Sequence, residues 1–129
     1  MGLALVLLIL CSLLAACTFT QNAFTRSANN AGSAFAAAEE TLTYAHEGKI
    51  TYSYASSSFE NYQSELQGTD QALTGQGATD KQTLHKLLVL YSSAIKVVDA
   101  PCLSSTCNWH KQVELLNQAS QAFLEAGNS

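Results

Sequence analysis

The chain is poor in residues that break helices and in motifs that carry out reactions. Its only proline is Pro101, so little else in the chain forbids helix. Its only methionine is Met1, which excludes a haem held between Met and His inside a bundle. The three histidines are His46, His85 and His110, and no glutamate stands three residues before any of them. That removes the Glu-x-x-His pairs of a ferritin-like di-iron core. No C-x-x-C or C-x-x-C-H occurs, which excludes thioredoxin-like chemistry and covalent haem attachment. No G-x-S-x-G nucleophile elbow is present. The segment GQGATDK lacks the Gly-Lys-Ser/Thr ending of a phosphate loop. Cations are also few: six Lys and Arg against ten Asp and Glu give a net charge of −4. They form no basic stripe, so nucleic acid is not an expected partner. No catalytic residue, cofactor or metal ligand is expected, and the chain is not expected to be an enzyme.

What the chain does have begins with an apolar run. Leu3 to Ala16 carries no charge, and Thr18, Thr20, Gln21 and Asn22 follow it. The run is shorter than the ~20 residues that span a bilayer. Its length suits the apolar part of a secretory signal. It closes on Leu14-Ala15-Ala16-Cys17. This resembles the lipobox of bacterial lipoprotein precursors: an aliphatic residue, two small residues, then cysteine. One feature departs from that pattern, since no Lys or Arg precedes the run. The resemblance covers the first seventeen residues only and implies cleavage before Cys17. Cys17 would then carry a diacylglycerol thioether and usually an N-acyl chain, two or more chains being enough for stable anchoring. An ordinary cleaved signal, or an uncleaved anchor, are the other readings of the run. The implied organisation is a signal peptide at 1–16, a short tether at 17–23 and a helical domain at 24–129. The implied location is a bacterial cell membrane or outer membrane, with the domain facing the extracytoplasmic side.

Beyond the tether, apolar residues recur at steps of three and four, the spacing of amphipathic helices. Four seams result: Phe24-Ala28-Ala31-Phe35-Ala38-Leu42-Ala45; Tyr52-Ala55-Phe59-Tyr62-Leu66-Leu73; Leu84-Leu87-Leu88-Tyr91-Ile95-Val98; and Trp109-Val113-Leu116-Ala119-Phe123-Ala126. Gly48 ends the first helix and Thr51 caps the second. A single long helix running through Gly48 is the alternative. Gly68 weakens the second helix late in its course. Thr79 and Gln82 have the spacing of a capping box for the third. Pro101 disfavours helix at Ala100. Asn108 or Thr106 caps the fourth, and Gly127 closes it. The expected fold is all-α: an antiparallel, up-down-up-down four-helix bundle.

That topology groups residues distant in sequence. Only Thr18 to Ala23 separates Cys17 from Phe24, a reach of roughly 20 Å. A lipidated Cys17 therefore sets the bundle close to the membrane with its first helix running outward. The first and third connections then share the distal tip, bringing Tyr44, His46 and Tyr54 to Trp109 and His110. Tyr and Trp are enriched where proteins bind proteins, so this tip is the candidate interaction surface. Tyr52 and Trp109 are read first as residues capping the core. His46 and His110 are read as solvent-exposed residues at helix ends rather than as metal ligands. In an exported protein Cys102 and Cys107 are expected to pair as a structural disulfide, with zinc binding or redox chemistry as the lesser readings. Cys11 falls in the discarded segment. The expected role is a membrane-anchored adaptor or scaffold with a protein partner in the envelope. The alternative is a module binding a small molecule or metal at the tip or in an interhelical cleft.

Overall fold

The computed structural model describes residues 23–75 and 80–128, and among them every regular element is a helix. In chain order these are α1 (Ala23–His46), α2 (Tyr52–Leu66), α3 (Thr69–Gly75), α4 (Lys81–Asp99) and α5 (Trp109–Asn128). The apolar run, Cys11, Cys17 and tether residues 17–22 lie outside the described residues. No described helix is long and apolar enough to cross a membrane.

The breaks have local causes. Gly48 takes φ 75°, a left-handed conformation that costs glycine little, and α1 stops at His46. Thr51 then accepts a hydrogen bond from the Tyr54 amide at 3.0 Å and caps α2. Two expectations need correction here. The second helix does not reach Leu73 unbroken. Gly68, at φ 79°, turns the chain, and Leu73 reaches the core from the separate helix α3. The cap of α4 is Asp80, whose carboxylate accepts from the Thr83 amide at 2.7 Å. Asp80 is held below the usual carboxylate range chiefly by that backbone hydrogen bond and then by the Thr83 hydroxyl.

The seam of α1 is buried along its whole length, Phe24 to Ala45. Its alanines let α5 come close, and α1 packs most extensively on that helix. The pairing runs in opposite register. Asn29 donates to the Gly127 carbonyl at 3.3 Å, Asn117 donates to the Glu39 carboxylate at 3.1 and 3.2 Å, and His46 meets Trp109. Midway along, Phe35, Tyr91 and Phe123 form a three-ring cluster with centroids 5.9–6.2 Å apart. The Tyr91 hydroxyl donates to the Leu66 carbonyl at 3.0 Å, satisfying a backbone oxygen at the end of α2. Burial, more than nearby Asp70 and Asp99, raises the Tyr91 phenol above its ordinary value. Tyr62 donates to Thr41 Oγ1 at 2.8 Å, and that hydroxyl donates onward to the Ala37 carbonyl. No buried side-chain nitrogen or oxygen among the described residues lacks a partner.

Gly127 does not act as a terminator. The helix runs on to Asn128, and Gly127 is buried against Asn29, where an added Cβ would collide with the carboxamide. Gly32, about a turn away, makes a similar close contact. A Cβ there would lie 2.6 Å from Leu124 Cγ and 2.9 Å from its backbone nitrogen. These two glycines set how closely α1 and α5 approach.

Candidate functional site

The site is assembled where α1 ends and α5 begins. Gly48 stops α1 just after His46, and Pro101 prevents α4 from continuing into the loop before Trp109. The His46 imidazole lies flat on the Trp109 indole, centroids 4.5 Å apart and planes 2° from parallel. His110 also stacks on the indole, at 3.7 Å, and Tyr52 meets His46 at 5.5 Å. His46 Nε2 stands 2.6 Å from the Cys102 carbonyl oxygen. A carbonyl only accepts, so Nε2 carries the hydrogen. His46 is therefore half-buried and committed, not the free solvent-exposed residue that its position at a helix end suggests. Its stacked ring and its engaged nitrogen hold the tip together.

The loop from Ala100 to Asn108 is fixed from three directions. The Cys102 and Cys107 sulfurs sit at bonding distance with Cα atoms 5.9 Å apart, a separation that suits a disulfide. From α5, Gln112 accepts from the Cys102 amide at 2.7 Å and donates to the Ala100 carbonyl at 3.2 Å. From α1 comes His46. Cys102 is buried, whereas Cys107 is exposed. Of the two expected caps for α5, Asn108 makes the bond: its side-chain oxygen accepts from the Lys111 amide at 3.2 Å.

Three tyrosines on the adjoining helix ends are exposed. Tyr54 is 63% exposed, Tyr52 41% and Tyr44 37%. Tyr52 thus leaves the core seam on which its spacing places it, and its ring rests against His46 at the end of α1. Lys49 Nζ lies 4.8 Å above the Tyr44 ring, within cation–π range, and is paired with Glu47 at 2.9 Å. Glu40 raises the Tyr44 phenol above its ordinary value, first by hydrogen bonding and then by its charge. Of the five residues singled out from the sequence, His46, Trp109 and His110 share ring contacts. Tyr44 and Tyr54 stand two positions from His46 and Tyr52 on their helices, so they present other faces. Tyr52 and Gln112 are the members that the helical spacing does not mark as site residues. Tyr52 follows the cap Thr51, which is a readable signal, but nothing in the sequence marks Gln112.

No group of three or more His, Cys, Asp or Glu capable of holding a metal occurs among the described residues. The fold and this site define the class as a small all-helical domain with a stapled aromatic tip. Comparison with protein-family models, with characterised proteins and with solved structures finds no match.

Proposed function

We propose that this chain is a lipid-anchored extracytoplasmic lipoprotein. Its four long helices run up-down-up-down, and its distal tip docks a protein partner in the cell envelope. The His46–Trp109 stack, with Tyr52 against it and two further exposed tyrosines on the adjoining helix ends, carries the proposal. The stack is held by α1, by α5 and by a loop staple. An ordered aromatic surface loses little side-chain freedom on binding. The opposed registers of α1 with α5, and of the ends of α4 and α5 at Gln112, support the alternating direction of the helices.

The lipobox supplies the anchor. Cys17 carries the lipid, and α1, 24 residues long, puts the tip about 36 Å beyond Ala23 at 1.5 Å per residue. A protein working at that distance suits an accessory subunit or scaffold.

The test places a photo-crosslinking residue in the full chain at Tyr54, and in a parallel sample at Lys86, far along α4 from the tip. A discrete adduct from position 54, absent from position 86 and lost with Tyr44→Ser, is expected. Equal labelling from both positions would sink the tip as the docking surface. For the anchor, Cys17→Ala should abolish metabolic lipid labelling and release the protein from the membrane fraction.

A further inference from the structure

A second feature lies beside the tip but faces another way. The last turns of α4 and the first turns of α5 diverge around a cavity of about 500 Å³. Lys96, Val97 and Ala100 line it from α4, and Asn108, Lys111 and Leu115 from α5. We propose that this groove binds a small amphipathic carboxylate, with its head between the Lys96 and Lys111 ammonium groups and its apolar body against Val97 and Leu115.

Charge is the first argument. Acids outnumber cations ten to six in the chain, yet two of the six cations line this one groove and no carboxylate does. Neither lysine forms an ion pair among the described residues, where the one salt bridge is Lys49–Glu47. Two acids stand nearby, each three residues after one of these lysines, and neither lines the groove. Asp99 lines a different depression with Gln63 and Tyr91, and Glu114 accepts from Gln118. That other depression, and one beside Asn30 and Ser33, each hold an acid and no cation. Of these three depressions, this groove alone carries a positive lining.

Shape and rigidity are the second argument. The volume lies within the range that encloses small ligands. Val97 is buried and Leu115 half-buried, so the floor is apolar. The mouth is set before a ligand arrives. The Gln112 fork holds Ala100 and Cys102, and the Ala100 amide donates to the Lys96 carbonyl at 3.1 Å. The Asn108 side-chain oxygen is used in capping α5, which leaves its NH₂ to donate to an anion. A neutral ligand would leave both ammonium groups without an opposite charge. A highly charged one would gain nothing from the apolar floor.

The probe is 2-naphthoate, with 2-naphthamide as its neutral isostere, titrated calorimetrically into the full chain in non-ionic detergent. For a ligand this small, naphthoate should bind with Kd of roughly 0.1–1 mM, and added salt should weaken it. Lys96→Gln and Lys111→Gln, both at exposed positions, should each weaken binding about fivefold, and Lys86→Gln should leave it unchanged. Amide shifts should centre on Val97 and Leu115. Naphthamide binding as tightly as naphthoate would overturn the proposal. So would an unaltered Kd in the double lysine variant, or no naphthoate binding up to about 10 mM. Retained helical circular dichroism separates a lost site from a lost fold. The groove shares no lysine with the tyrosine tip, so this result and the tip cross-linking stand or fall separately.

Discussion

The two ends of the α1–α5 pair are held by opposite means. Near Ala23 the helices touch because side chains are missing: Gly32 lies against Leu124 and Gly127 against Asn29. At the tip they are joined through flat rings, His46 on Trp109, with a loop clamped beside them. Backbones in near contact exclude everything else from the interface. At the tip the pair meets through side chains instead, and exposed tyrosines stand on the neighbouring helix ends.

The comparison breaks most severely at Gly32. Gly32→Leu must push Leu124 aside, backbone included, and is expected to cost about 3 kcal/mol despite leucine's better helix propensity. Thermal unfolding measures this. A neutral outcome would mean that α1 and α5 are free to move apart at that end. Next is the staple. Replacing both Cys102 and Cys107 by Ser should cost about 2 kcal/mol by the loop-entropy estimate. Native-state hydrogen exchange should show the loss at the tip, with amides around Gly32 still protected. Uniform deprotection would show that the two ends are not independent.

His46→Ala removes the stack and the bond to the Cys102 carbonyl, with an expected cost of about 1 kcal/mol. Trp109 is the only tryptophan, so its emission reports the tip directly and should shift to the red. His46→Phe should restore the stack and most of the emission, but not the hydrogen bond. The smallest effect concerns Asp80, at the end of α4 away from the tip. Its folded pKa is depressed below the unfolded 3.8. Its stabilising contribution is therefore present above 3.8 and lost as pH falls through the lower folded value. Asp80→Asn keeps a capping oxygen and should remove that share of the acid dependence. An unchanged acid limb would assign it to other carboxylates.

Much of the helical architecture was legible because helical spacing is local. The α1 seam is buried at every position from Phe24 to Ala45, and Gly48, Thr51 and Pro101 mark real boundaries. Where spacing misleads, a neighbour decided. Tyr52 fits the α2 seam but meets only the last residue of α1, His46, and stays partly exposed. Val97 and Ala94 lie off the predicted α4 seam, yet both are buried, because α4 packs on α2 as well as α5 and therefore buries a wider face. Ser120 is buried beside Ala119, where its hydroxyl donates to the Asn117 carbonyl within its own helix.

The sequence by itself determined the helical class, most of the breaks and the candidate tip residues, because each depends on residues a few positions apart. Only the tertiary structure decided that Gly32 and Gly127 are contact points, that His46 is bound to the loop, that Gln112 clamps it, and that Lys96 and Lys111 face one groove. Each of these depends on how one helix is set against another, and that register is fixed by side-chain shape across the interface rather than by spacing along the chain.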